Sequence, residues 1–106
     1  EIGIPVLDNI NLRKDSKRIH QILSNYTNIR HIFFGHVHRP VCGSWHGIPF
    51  STMYGTNHQI QLDLNAEDYF PHTHEPPAYC VILIESEQTT VHIHNYLDDS
   101  LYKRIS

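Results

Sequence analysis

Three pairs of histidines in this chain are separated by a single residue: His36/His38, His72/His74 and His92/His94. Ten of the 106 residues are histidine, against one methionine and one tryptophan. Random placement at that frequency would give about one such pair, so the spacing adds only a mild signal to the surplus itself. Imidazole is the commonest metal ligand among side chains and the one that titrates near neutrality without help. Metal coordination and proton transfer are therefore the chemistries the residue types offer.

The histidines differ in setting. His92 and His94 alternate with Val91 and Ile93 and read as the polar face of a strand. His72 and His74 sit among Pro71, Glu75 and Pro76 and read as a solvated loop, with an opportunistic metal site as the alternative. His20 and His31 fall on a helix and at a strand edge, with no chemistry implied, and His46 reads as a turn residue. His36 and His38 follow the apolar run Ile32-Phe33-Phe34 and Gly35. In α/β architectures the loop at the carboxyl end of a buried strand is where ligands bind. Gly35 is expected to supply a sharp turn and a close approach to the backbone. Two imidazoles one residue apart in such a loop can present nitrogens to two neighbouring ions.

The elements that must position these residues can be read from periodicity. Residues 1–15 carry Pro5, Asn9, Asn11 and Arg13-Lys14-Asp15 without a sustained period and read as a loop. Asp15 or Ser16 then offers an N-cap, and Ile19, Ile22, Leu23 and Tyr26 form the stripe of an amphipathic helix over 16–26. Ile29–Phe34 reads as a strand buried on both faces. Val41–Trp45 and Ile48–Met53 flank a hairpin turn at His46-Gly47. His58–Leu64 alternates, which puts His58 on the face of Ile60, Leu62 and Leu64. Residues 65–77 read as a long surface loop, Ala78–Glu85 and Thr89–Tyr96 as a hairpin, and the last ten residues as a polar tail. One clear helix with five or six strands, mostly joined by short connections, predicts an α+β fold with a largely antiparallel sheet.

Composition bounds the functional classes. The length suits one small domain. With 40% apolar and 18% charged residues the chain is too hydrophobic for disorder, and no apolar run reaches the roughly 20 residues of a membrane span. A formal net charge of −3 argues against a nucleic-acid polymer as partner. Cys42 and Cys80 form no CxxC, so neither a disulfide framework nor a zinc knuckle is indicated. The opening Glu1-Ile2-Gly3-Ile4-Pro5 reads as the interior of a longer protein, without a secretory or transit pattern. A cytoplasmic location is expected.

Phe34-Gly35-His36-Val37-His38-Arg39-Pro40 resembles the last signature motif, GHxH, of the calcineurin-like metallophosphoesterases. Gly55-Thr56-Asn57-His58-Gln59 is similar to the downstream histidine segment of the bacterial branch with cyclic-nucleotide phosphodiesterases and glycerophosphodiesterases. Glu75-Pro76-Pro77-Ala78-Tyr79 and the two strands after it resemble the C-terminal hairpin of that branch. Gly3-Ile4-Pro5, with Asp8 and Leu12, resembles the segment after its His-His-Pro-Pro motif. The resemblance implies that residues 1–106 are the C-terminal part of a metallophosphoesterase catalytic domain, the C-terminal half of an α/β sandwich. It implies His38 as ligand of a first metal ion, His36 as ligand of a second, and His58 at the cleft rim on a substrate phosphate oxygen. Arg39 would add positive charge without being catalytic. The implied cofactor is a pair of divalent ions (Fe, Mn, Zn or Co) about 3.5–4 Å apart, and the implied reaction is hydroxide attack on a small-molecule phosphodiester of cyclic-nucleotide or glycerophosphodiester type.

The family's Asp-x-His, Gly-Asp and Gly-Asn-His motifs are not in the sequence, nor is the histidine expected before Glu1. Two histidines do not complete a dinuclear site, so these 106 residues alone are expected to be inactive. Two further readings compete: a non-catalytic truncated or interaction module keeping the family's sheet without a metal centre, and a small histidine-based metal-binding protein. A buried strand at Ile29–Phe34 requires neighbours on both sides, so self-association or pairing with a missing N-terminal half is expected.

Overall fold

A computed structural model of the chain describes residues 1–10 and 12–97; Asn11 and most of the expected polar tail, from 98 onward, lie outside them. Two α-helices and seven strands form among the described residues: α1 (Pro5–Asp8), α2 (Ser16–Leu23), β1 (Ile32–Phe33), β2 (Cys42–Trp45), β3 (Ile48–Ser51), β4 (Gln59–Ile60), β5 (His72–Thr73), β6 (Ala78–Ile84) and β7 (Thr89–Asn95). A 3₁₀ turn at Leu12–Asp15 leads into α2. The class is α+β with mostly antiparallel pairing, as expected. The strands make three small sheets, ordered β1-β3-β2, β4-β5 and β6-β7. Only β1–β3 is parallel.

The first segment departs from the expected loop. Pro5 stands in the first turn of α1, where a missing N–H costs nothing. The Asp8 carboxylate folds back to accept from the N–H of Ile2 (2.7 Å) and of Gly3 (3.0 Å). Gly3 has φ +83°, a conformation suited to glycine. Ile4, Val6 and Leu7 are buried and pack with Ile60 and Ala66 as the core cluster, with Ile2 and Val37 against it. A single helical turn is too short to show a period, which is why the sequence pattern missed it.

The second helix stops at Leu23, short of the expected 26. Ser24 Oγ and Asn25 Nδ2 both donate to the Gln21 carbonyl, the local side-chain bonding that competes with helix continuation. None of its residues is buried, and Ile22 is 52% exposed.

The strand expected over 29–34 shrinks to two residues at the edge of its sheet. Its only strand partner among the described residues is β3, with Ile32 opposite Phe50 and Phe33 opposite Ser51. Phe33 and Phe34 are exposed, so the expectation of burial on both faces fails among the described residues. The β2–β3 hairpin forms as expected, with Trp45 opposite Ile48. His46 (φ 49°) and Gly47 (φ 80°) are both left-handed, the pair of positive φ values that a two-residue turn needs to match strand twist.

The alternation from His58 to Leu64 yields only the two residues of β4. Leu62 and Leu64 are 55% and 59% exposed, whereas Gln59, on the supposedly polar face, is fully buried. Past the end of β4, Asp63 turns the chain: its carboxylate accepts from the Asn65 N–H (2.9 Å) and from the Tyr69 hydroxyl. The chain then returns through Ala66, which is buried and accepts from Val6 N–H (2.8 Å), to β5 inside the expected loop. The β6–β7 hairpin runs from Ala78 opposite Asn95 to Ile84 opposite Thr89. His92 is exposed on it, and His94 packs against Tyr79 with ring centroids 5.1 Å apart.

The described chain is thin, 49 × 43 × 18 Å, with a radius of gyration of 16.2 Å against about 13 Å for a compact domain of this length. Val81, Ile82, Leu83, Ile84 and Ile93 of the last hairpin are all exposed. No helix among the described residues is long and apolar enough to cross a membrane.

The Asp63 carboxyl is held below the ordinary carboxylate range, first by the Tyr69 hydroxyl and then by the Asn65 N–H, with burial opposing. A carboxylate so shifted adds stability above its ordinary value of about 3.9, and that stability is lost as pH falls through the depressed midpoint. Tyr69→Phe should raise the Asp63 midpoint toward the ordinary value in a carboxyl-carbon NMR titration. An unmoved midpoint would show that the tyrosine does not hold this turn.

Candidate functional site

The two parallel strands end at the same place. From β1 the chain passes through Phe34 and Gly35 into the His36–Pro40 loop; from β3 it passes through Thr52 into Met53–Thr56. Together they enclose an open cleft of ≈ 530 Å³ lined by Phe33, Phe34, Gly35, Met53, Tyr54 and Thr56, with His36, His38 and Gly55 also on its wall. It lies at the carboxyl ends of the strands, where sheets of this kind leave room for ligands.

The loop gets its shape from the histidines themselves. His36 has φ 77° and His38 φ 50°, while Gly35 is not left-handed. The expectation that Gly35 makes the sharp turn is therefore corrected. A left-handed non-glycine residue is held against a cost of about 1–2 kcal/mol, so the surroundings must fix it. Val37 does so from below, packing against the cluster of Ile4, Val6, Leu7, Ile60 and Ala66. The chain thus sends the residue between the imidazoles into the core and leaves both imidazoles on the cleft wall. Gly35 has open space where a Cβ would stand, so its contribution is room at the cleft mouth.

Both neighbouring segments pin the loop. Ile60 N–H donates to the His38 carbonyl (2.9 Å), and the Arg39 guanidinium donates to the Ile60 carbonyl (3.2 Å). The Thr52 hydroxyl donates to the Arg39 carbonyl and accepts from Val41 N–H (3.1 Å), while Thr52 N–H donates to the Val41 carbonyl (2.8 Å). Arg39 is thereby engaged in tying the loop to β4.

His38 is fixed by one further bond. Its Nδ1 lies 2.8 Å from the His58 carbonyl oxygen. A carbonyl only accepts, so Nδ1 carries a proton, and in the neutral ring Nε2 is the nitrogen that keeps the lone pair. Gly55 lies flush against this bond: a Cβ there would stand 2.5 Å from His38 Nδ1 and 2.6 Å from His58 O. The segment between Gly55 and His58 is closed by Gln59, whose Oε1 accepts from Gly55 N–H and whose Nε2 donates to Gly55 O, both at 2.7 Å. A fully buried amide with both ends satisfied makes a rigid staple.

The His58 ring stacks on His38 with centroids 4.4 Å apart, and His72 lies 5.0 Å beyond it. His72 reaches this position because β5 pairs with β4, Ile60 opposite His72, making His72 a diagonal cross-strand neighbour of His58. His58 is half-buried with its pKa lowered, chiefly by lost solvation and then by His38 and His72.

Imidazole nitrogens suit divalent transition ions, and a ring N–H donated to a backbone carbonyl is the usual support of a metal-ligating histidine. The donor chemistry of His36 and His38 therefore fits a metal ion. The number of donors does not suffice: among the described residues no group of three or more His, Cys, Asp or Glu side chains converges to hold one. Sequence reasoning named His36, His38 and His58 but passed over Gln59, Gly55 and Val37 as positioning residues, and it left His72 in a solvated loop. A glutamine four residues after a glycine was the available signal for the staple.

No protein-family model matches the chain. Over 99 residues, 93% of the chain, it is 32% identical to a probable cyclic nucleotide phosphodiesterase of Rhodopseudomonas palustris, of which it covers 36%. Over 78 residues, 74% of the chain, it is 32% identical to a probable glycerophosphodiester phosphodiesterase of Arcobacter nitrofigilis, of which it covers 29%. The chain thus spans about a third of the length of the curated relatives it matches. Any contiguous stretch of 78 residues within 106 contains residues 29–78, so both similarities run through the cleft and the Gly55–Gln59 staple.

Two outcomes follow from the geometry. Gly55→Ala should break the His38–His58 bond, costing about 1–3 kcal/mol in denaturant unfolding and moving His38 off its Nδ1–H tautomer in imidazole nitrogen spectra. In a proton NMR titration His58 should protonate below the ordinary 6.5, and His72→Gln should move its midpoint partway back up. The sign follows: His58 adds stability above pH 6.5, lost as pH falls through its lowered midpoint.

Proposed function

We propose that His36 and His38 contribute to a dinuclear metal centre in a phosphodiesterase, completed by ligands outside these 106 residues, and that His58 holds a phosphate oxygen at the cleft rim. The observation that carries this reading is the His38 Nδ1 bond to the His58 carbonyl, 2.8 Å long and backed by Gly55 and Gln59. It leaves Nε2 of His38 as a fixed lone-pair donor on the wall of a cleft that His36 shares. The similarity to two proteins named as phosphodiesterases, running through this segment, supports the same reaction class.

The ions of such a centre supply charge neutralisation for phosphoryl oxygens and a nucleophile at neutral pH; Fe, Mn, Zn and Co all accept this donor type. His38, locked in one tautomer, holds its ion in place, and His36 takes the second. His58, with its lowered pKa, is neutral at pH 7 and offers a ring N–H to a phosphate oxygen without adding charge. Phe33, Phe34, Met53 and Tyr54 form an apolar wall for the organic part of the ester. Cyclic nucleotides and glycerophosphodiesters are both within this chemistry.

The exposed apolar surface belongs to the proposal. Phe33 and Phe34 at the edge of their sheet, and Val81, Ile82, Leu83, Ile84 and Ile93 of the β6–β7 hairpin, are large apolar side chains left exposed, the kind of surface that marks an interface. We assign its cover to the remainder of a longer chain, in the sandwich that the resemblance implies; the relatives' additional length supports this.

The full-length protein carrying these residues should hydrolyse a chromogenic phosphodiester when supplied with Mn, Zn or Co. His38→Ala should lower turnover by at least about a hundredfold, and chelation should abolish it. Wild-type turnover in the His38→Ala protein would refute the assignment.

A further inference from the structure

A second cavity lies between α2 and the β2–β3 turn. It has a volume of ≈ 250 Å³ and is lined by Ser16, Lys17, His20, Gln21, Trp45 and His46. It stands at the far end of β3 from the cleft, about 13 Å along a four-residue strand. We propose that this cavity binds a phosphoryl oxyanion, independently of the phosphodiesterase reading.

The argument begins with the chemistry of the wall. Lys17 brings an ammonium, His20 and His46 each an imidazole, Trp45 an indole N–H and Gln21 an amide. Among the described residues no carboxylate lines the cavity, although the chain as a whole is acidic, with a net charge of −3. Lys17 is the one formal charge among the described residues of the wall. A cation with several N–H donors and no competing carboxylate selects an anion with several acceptor oxygens, and charge-assisted bonds to such oxygens are the strong ones.

The aromatic groups are held in place. His20 and His46 stack at 3.6 Å with their planes 19° apart. Trp45 meets both edge-on, at 5.7 Å from His20 and 4.7 Å from His46. His46 occupies a left-handed turn position (φ 49°). Asparagine and glycine fill such a position at less cost, so the imidazole there is kept by what it packs against. The stacked rings of His20, Trp45 and His46 are thus preset, and the ordering left to occur on binding falls on the exposed Lys17 and Gln21 side chains. The volume is ample for a phosphate and leaves space for a short organic substituent.

Titration of the full-length protein with inorganic phosphate, followed by the Trp45 indole N–H and the His20 and His46 imidazole resonances, tests this. Saturable shifts at these three residues are expected, absent with chloride at matched ionic strength. Lys17 is exposed, so Lys17→Met should keep the fold while weakening binding by about tenfold. His46→Asn, which suits the left-handed turn, should weaken it as well. A parallel titration with glycerol phosphate separates the sources: tighter binding assigns an organic phosphomonoester, equal binding the free ion, and both support the site. Shifts that never saturate, that chloride reproduces, or that persist at full affinity in Lys17→Met would overturn the proposal.

Discussion

The geometry of the cleft depends on one buried amide. Gln59 closes both of its polar ends on the backbone of Gly55 and so fixes the four-residue turn that carries His58. That turn puts the His58 carbonyl where the His38 ring can donate to it, and the absent side chain at Gly55 leaves the space in which the bond runs. Inside a protein an amide with one end unpaired costs about 1–3 kcal/mol, so each of the two bonds keeps the other from being left with a buried, unpaired group. The left-handed backbone of His36 and His38 is the counterpart on the other side, fixed by Val37 in the core.

The small core has a positional task more than a stabilising one. Ile4, Val6 and Leu7 from the first turn meet Ile60 and Ala66 from either side of the Asp63 turn, and Val37 reaches them from the histidine loop. Three distant segments are thereby drawn under one site. Beyond this cluster the chain keeps much of its apolar area in solvent, from Phe33 to Ile84. A slab 18 Å thick leaves most side chains near a surface, whatever their polarity. Strength at the site and openness elsewhere are consistent, because local polar staples do not need a deep interior to hold their geometry.

Parts of this arrangement were legible in the residues. The β6–β7 and β2–β3 hairpins follow from strand-type runs around Ser86-Glu87-Gln88 and His46-Gly47, and the start of α2 from its cap and stripe. These are local signals, decided within ten or so residues. The readings that failed are those that depend on a partner. The alternation from His58 to Leu64 assumed a long neighbour, and β5 supplies only two residues. Gln59, read onto the polar face, is fully buried because it finds two backbone partners at Gly55.

The sequence by itself determined the residue types of the site: two imidazoles flanking a valine after an aromatic run, and a further histidine twenty positions on. It also determined that the chain is α+β, since local periodicity needs no distant contact. Only the tertiary structure decided which ring nitrogen of His38 is free, that the turn falls on the histidines instead of Gly35, and that His72 joins His58. Each of these is a contact between segments far apart in the chain, and the energy of such a contact depends on a meeting that no single stretch of residues encodes.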